Sequence, residues 1–579
     1  MVHLQLDLSH PQTHQVGVVL RFRPHQSRQR LRLPAWTPGS YLIRDYVRLL
    51  EGLSAEQQGR PVPLQRLEPA CWQLDLVPGE EVVVRYSLTA TELTVRTPHI
   101  DQDHAFLPMA AVALEVEGQR WDGHGISCLL PPGWKAFVPL PAIEHGWRAA
   151  DFDQLIDAPL EFGPHQEQTF SVAAVPHRWV TWDAGVPPGQ QDWLNQRFPS
   201  LLRDVEQVCL ACCALMGVER PPCCNYLFVL HLLDEGYGGL EHDNSCVLVF
   251  SRRTLEQPQG YRKLLQLIAH EYLHQWNVRR LRPRELAPID YHQPVIIPTL
   301  WFAEGVTSYV DQLLPFAAGL CSREQVLEDL GSDLSRYLLT PGRAVQSLRE
   351  SSQEAWVKLY RADAHSPDSQ VSYYLKGAVV ALCLDLHLRR HGSSLALVLR
   401  DLWGSHGCWR RGYSEQDLFS AFSRFTPDLE QLLPEWLQGH QDPDLDGYLA
   451  GVGLQLEPEM SPSPWAGFTC RAEPFGLIVQ RVVRHGPAQR AGLMVGDELI
   501  GLDGERLRHL DQLPARLRSP EPHQPGQNLL ISRRSQLRSL ELRSEEPRPE
   551  RFRLVPLPQA SAACLEAQQR WLRLSEPPW

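Results

Sequence analysis

A basic surplus is what this sequence most plainly lacks. Its 56 lysines and arginines are outnumbered by 68 acids, for a net charge of -12. That balance excludes the positive footprint of a nucleic-acid binder. Lysine itself is almost missing, with only Lys135, Lys263, Lys358 and Lys376 present. No run approaches the ~18 consecutive apolar residues of a membrane-spanning helix, so no membrane partner is expected. The start, Met1-Val2-His3-Leu4-Gln5-Leu6, has no basic residues leading into an apolar core, and no signal peptide is expected. The 13 cysteines are odd in number and scattered, unlike a disulfide framework. Cys209, Cys212 and Cys213 contain one C-x-x-C step. No second pair lies at zinc-finger distance, and their neighbours read as a buried helix in which Cys is a small apolar residue. No fixed-period repeat occurs. A reducing, cytoplasmic setting fits these absences.

What is present divides the 579 residues into several domains. Residues 1–170 alternate short apolar runs with Pro and Gly turns, as in Val16 to Phe22 and Glu81 to Tyr86, the pattern of a β-rich, sandwich-like domain. From 171 to 450 the pattern lengthens into helices. One is expected over Tyr261 to Val278, and another over Tyr374 to Arg390, with a basic last turn and Gly392 beyond it. The apolar runs Tyr226 to Leu230 and Cys246 to Phe250 place a small sheet before the first long helix. Short strands and turns return from 451 to 547. Residues 548–579 are expected to form a polar tail with a helix near Cys564 to Leu574. The class is multidomain α+β.

His270-Glu271-Tyr272-Leu273-His274 is an H-E-x-x-H motif. Four residues are just over one helical turn, so both imidazoles project from one face toward one ion. Glu271, about 100° round the helix, reaches the ion's open position and can take a proton from its bound water. The motif lies among Leu264, Leu265, Leu267, Ile268 and Leu273, where unpartnered polar groups are costly. A catalytic zinc needs a third protein ligand. No His-x-x-Gly-x-x-His continuation follows His274. Glu304, a lone carboxylate in the apolar run Leu300 to Tyr309, is the best candidate, with His242 and Glu241 as rivals. One Zn2+ per chain is expected. Arg279, Arg280, Arg282 and Arg284 form the conspicuous basic cluster and read as a helix end and a solvated loop.

With His270 to Val278, Leu281-Arg282-Pro283 and Trp301 to Tyr309, the sequence resembles the glycyl aminopeptidase family of PDZ-bearing zinc peptidases. That family is related to the alanyl and leucyl aminopeptidases and shares their thermolysin-like catalytic domain. The resemblance extends to Pro34 to Tyr41, Gly238-Gly239-Leu240-Glu241-His242 and Tyr373-Tyr374-Leu375-Lys376-Gly377. It implies that Glu241, beside Gly238 and Gly239 on an edge strand, binds the substrate's free α-amino group. It implies also that Tyr374 stabilises the tetrahedral oxyanion, with Tyr373 as its rival. The implied substrates are peptides with a free N-terminus, preferably glycine or alanine.

Gly476 to Val479, Gly486 to Leu493 and Gly496 to Gly504 look like a PDZ domain of the bacterial protease type. Such domains add an extended peptide C-terminus to a sheet edge, and Ala466-Gly467-Phe468 is the candidate carboxylate loop. Packing on the catalytic domain without any peptide is the other reading. Two further functional readings stand beside the aminopeptidase: a thermolysin-type endopeptidase, which needs no Glu241, and a PDZ-based interaction protein with a vestigial metal site.

Overall fold

The computed structural model describes residues 2–186, 193–519, 521 and 524–574. The N-terminal region is β-rich. Strands Val2–Asp7 and Gln15–Phe22 pair antiparallel, with Leu4 opposite Leu20. Both alternate buried with half-buried or exposed residues, as strands with one face on a core must. They belong to an eight-stranded sheet, and sheets of five and four strands complete the region.

The next sheet carries the site. Its strands are β1 (Glu167–Val172), β2 (Val175–Asp183), β3 (Tyr226–Leu233), β4 (Tyr237–Glu241) and β5 (Ser245–Ser251). The spatial order is β1-β2-β3-β5-β4. β3 runs parallel to β2 and β5, and β4 is an antiparallel edge with Gly239 opposite Leu248. β3 and β5 are buried along nearly their whole length, which explains why they read as continuous apolar runs. Helix α1 (Gly260–Leu273) packs against β4 and β5. Helix α2 (Thr307–Ala317) lies beside α1, and α3 (Tyr373–Arg390) beside α2. The apolar α3 is buried along almost all of its length, as a core helix.

The C-terminal part differs from a PDZ domain followed by a tail. Strand Leu454–Met460 pairs antiparallel with Pro549–Pro556, and the PDZ domain lies between them in sequence. That domain has its own core, including Leu477, Val479, Leu499, Leu529, Ile531 and Leu542. After the ribbon, helix Ala562–Leu572 returns to pack on α2. Trp571 is fully buried there, and its indole donates to the Tyr309 hydroxyl at 2.7 Å. An amphipathic segment as short as this gains stability by burying its apolar face rather than by trailing in solvent.

Candidate active site

β4 passes directly over the H-E-x-x-H helix. A methyl group at Gly239 would fall 2.1 Å from Glu271 Oε1, so only glycine lets the edge strand run this close. Glu304 lies on a π-helical turn, Trp301–Val306, immediately before α2. Such a turn breaks the regular hydrogen-bond ladder and recurs at functional sites. Its loosened carbonyls are met by Asn277, whose amide donates to Phe302 O at 3.0 Å and Ala303 O at 3.3 Å. On the other side a Cβ at Gly305 would lie 2.5 Å from the Gly377 Cα. This glycine-on-glycine contact brings α3, with Tyr373 and Tyr374 in its first turn, against the Glu304 segment.

His270, His274 and Glu304 thereby converge, their ligand atoms lying within 4.8 Å of one another. The Nε2 atoms of His270 and His274 stand 3.6 and 3.3 Å from Glu304 Oε2. Bonds of about 2.0–2.1 Å to a tetrahedral ion would set neighbouring ligands about 3.3 Å apart. The outer ring nitrogens are engaged: His270 Nδ1 lies 2.8 Å from Asp311 Oδ2, and His274 Nδ1 2.6 Å from Asn277 O. A carbonyl and a carboxylate can only accept, so both Nδ1 atoms donate, and neutral rings turn their Nε2 lone pairs inward. Two lone pairs and a buried carboxylate facing one point repel unless a cation lies between them. The residues therefore fit a metal ion. Without an ion a proton takes the cation's place: burial disfavours a charged imidazole, yet the carboxylates of Asp311 and Glu304 outweigh it and hold His270 well above its ordinary range. Burial likewise opposes ionisation of Glu304, but His274 and His270 hold its carboxyl down to about 2.

Glu271 is 4% exposed, and its Oε2 has no hydrogen-bond partner. Burial pushes its carboxyl up to about 7, against the pull of His270 and His274. Glu241 is equally buried, with Oε1 unpartnered, and its ligand atoms lie within 4.8 Å of those of Glu271 and His274. Gly39, in the N-terminal region, closes over it: a Cβ there would meet both Glu241 carboxylate oxygens, at 2.5 and 2.6 Å. Tyr374 lies tilted beside the site, with its ring centroid 6.4 Å from that of His270 and its hydroxyl 3.3 Å from the Tyr360 hydroxyl. Tyr373 is fully buried behind it.

Three segments of the chain match family models. Residues 263–380 match the M61 glycyl aminopeptidase model, residues 3–164 the Peptidase M61 N-terminal domain, and residues 478–525 a PDZ domain. The chain resembles M61 glycyl aminopeptidases in both its N-terminal and its central segment. This peptidase is similar over 99% of its length to the whole of an aminopeptidase N family protein from Idiomarina loihiensis, at 29% identity and a TM-score of 0.90. More distant structures include an M1 zinc metallopeptidase from Deinococcus radiodurans, at 16% identity and a TM-score of 0.48, with 77% of this chain and 94% of that one covered. Legionella pneumophila aminopeptidase A aligns at 13% identity and a TM-score of 0.48, with 94% of this chain and 57% of that one covered. No curated protein sequence matches.

The structure brings together His270, Glu271, His274, Glu304, Glu241, Gly238, Gly239 and Tyr374. His242 stands apart from the metal site, its Nδ1 bonded to Asp157 at 3.1 Å. The arginine cluster is a correction. Arg279 and Arg280 are buried rather than solvated, and Arg279 binds Asp157 at 2.6 Å and Asp243 at 3.0 Å. Two carboxylates from distant segments supply the partners that make burial tolerable. Arg284 is exposed, as a loop residue. Sequence reasoning missed Asp311, Asn277, Tyr360 and Gly39. Asp311 follows Glu304 by about two helical turns, and that spacing was a signal open to reading.

Proposed function

We propose that this chain is a zinc-dependent aminopeptidase that removes small N-terminal residues, glycine or alanine, from peptides. The observation that carries the reading is the meeting of His270 Nε2, His274 Nε2 and Glu304 Oε2 at 3.3–3.6 Å, with both imidazoles oriented from behind by Asp311 and Asn277. Two imidazoles, one carboxylate and an open fourth side are the donor set of a catalytic zinc. A zinc ion held there polarises the scissile carbonyl and lowers the pKa of the attacking water.

The chain's own groups do the rest. Glu241 accepts the substrate's α-ammonium on its free Oε1, a charge-assisted hydrogen bond in a dry site. Glu271 takes the water's proton and passes it to the leaving amine, a task suited to a carboxyl poised near neutrality. Tyr374 donates its hydroxyl to the tetrahedral oxyanion. Gly39 and its loop close the space beyond Glu241, where an endopeptidase would need room for further residues. The cavity there, between Gly39, Tyr41, Val278, Arg282 and Leu286, measures about 10 Å³. That is barely the room of one water, so no further residue extends past Glu241 on this side.

Among the described residues the PDZ strand Phe468–Glu473 pairs on one side only, with Gly476–Val482, leaving an edge on which a peptide C-terminus can add. The thirteen cysteines are all free, in keeping with a cytoplasmic site. Turnover of glycyl and alanyl amides by metal-loaded protein, with loss of turnover in Glu304→Ala, tests the assignment. Metal-loaded protein with no turnover on any free-amine peptide would refute it.

A further inference from the structure

Thr37-Pro38-Gly39-Ser40 makes a tight turn, in which Ser40 N–H donates to Thr37 O at 3.1 Å and Gly39 has a φ of +84°. Proline followed by a glycine of positive φ is the central pair that a type II turn asks for. The turn is tied to a distant part of the chain. The Trp36 indole donates to Asp290 O at 2.9 Å, and Ala35 N–H to Tyr291 O at 2.8 Å. Tyr41, the next residue after the turn, is 0% exposed. Its ring meets those of Trp356 and Tyr360 edge to face, at 6.0 and 6.3 Å between centroids, an arrangement that fixes an aromatic side chain.

The hydroxyl of Tyr41 does not share in this packing. It is buried and has no hydrogen-bond partner among the described residues. Phenylalanine would fill the same space without stranding a polar atom, so the oxygen calls for a reason of its own. Its surroundings supply one. Tyr41 and Glu241 are walls of the same small cavity beneath Gly39. The arginines of that wall are engaged elsewhere, Arg279 with Asp157 and Asp243, and Arg282 with the Arg279 carbonyl. On its other side Tyr41 touches Tyr360, whose hydroxyl reaches Tyr374. Burial, with the charges of Glu304 and Glu241, pushes the Tyr41 phenol well above its ordinary range, so the group is neutral. Two buried oxygens without partners, Glu241 Oε1 and the Tyr41 hydroxyl, thus border one enclosed space.

We infer that Tyr41 is a second binding group for the substrate's α-ammonium, an inference that rests on the reading of Glu241 above. An ammonium carries three N–H donors, and in a dry site each one left unpaired weakens binding. Glu241 Oε1 accepts one and the Tyr41 oxygen another. A neutral phenol adds this acceptor without setting a fourth carboxylate beside Glu241, Glu271 and Glu304. The free amine is therefore recognised by the N-terminal region and the edge strand together, and the turn at Gly39 serves to aim Tyr41 as well as to close the site.

Calorimetric binding of glycine hydroxamate and acetohydroxamate to the metal-loaded full chain tests this. Both chelate the metal through the same group, and only the first has an amine. Wild type should bind glycine hydroxamate more tightly. Tyr41→Phe should lose about tenfold on that ligand and bind acetohydroxamate as wild type does, with metal content and unfolding midpoint unchanged. Full retention of the amine preference in Tyr41→Phe would overturn the inference and leave Glu241 its role. Equal losses on both ligands, or a loss of metal or stability, would overturn it by giving the hydroxyl another task. A wild type without any preference for the amine would overturn the aminopeptidase reading, and this inference with it.

Discussion

Gly239→Ala places one methyl group against the proposed base. Its Cβ would lie 2.1 Å from Glu271 Oε1, 2.2 Å from Cδ and 2.5 Å from Cγ, whereas ordinary carbon contacts begin at about 3.5 Å. The backbone of β4 is no obstacle, because Gly239 is not among the residues of positive φ and its pairing opposite Leu248 uses main-chain atoms. The strain is relieved by pushing the Glu271 carboxylate aside by about 1 Å, and a displacement of that size at a reacting group costs about 10²-fold in rate. The ligands are untouched, so metal content should stay at the wild-type level. Stability should change little, because the side chain that yields is the far end of a glutamate. The assay is kcat/KM on an alanyl amide together with metal analysis and a denaturant titration. Activity within a few-fold of wild type would refute the account of why the strand carries glycine there. Loss of metal would show that the change acts on the ligands instead.

Glu271→Gln keeps the shape and removes the proton acceptor, so turnover should fall by about a hundredfold or more with metal retained. The pH dependence follows with a definite sign. A protonated Glu271 cannot act as base, so kcat/KM should fall as pH drops below about 7, with the limb moved lower where a bound cation favours the carboxylate. That limb should vanish in Glu271→Gln, and a limb unchanged there would assign it to another group. Asp311→Asn weakens the group that orients His270, and metal affinity should drop about 10–100-fold, measured by competition with a chelator. Trp571→Ala removes a fully buried indole bonded to Tyr309, and should cost about 3–5 kcal/mol in denaturant unfolding; a change under about 1 kcal/mol would show the C-terminal helix to be dispensable.

The parts of the site legible in sequence were those whose chemistry is local. His270 and His274 declare themselves by helical spacing, and Glu304 by being a lone acid in an apolar run. Asp311 shares that helical logic but was hidden among ordinary polar residues. Gly39 is legible only through the family resemblance, since nothing local says that an N-terminal loop will lie on Glu241. The arginines were misread because charge in a row suggests solvent, whereas Asp157 and Asp243 reach Arg279 through the fold. The ribbon of Leu454–Met460 with Pro549–Pro556 spans a whole inserted domain, and no short-range pattern predicts such pairing.

The central claim is that Glu241, buried with a free carboxylate oxygen beside the metal ligands, makes this peptidase act at a free N-terminus. The direct test compares kcat/KM for glycyl and alanyl peptides with that for their N-acetylated forms, on wild type and Glu241→Ala. A charge-assisted hydrogen bond of about 1.5–3 kcal/mol corresponds to about 10–150-fold, and exclusion of the acetyl group adds to it. Wild type should prefer the free amine by at least that factor, and Glu241→Ala should lose most of the preference by cleaving free-amine substrates poorly. Equal cleavage of acetylated and free peptides by wild type would contradict the aminopeptidase reading and leave only a metal-dependent peptidase.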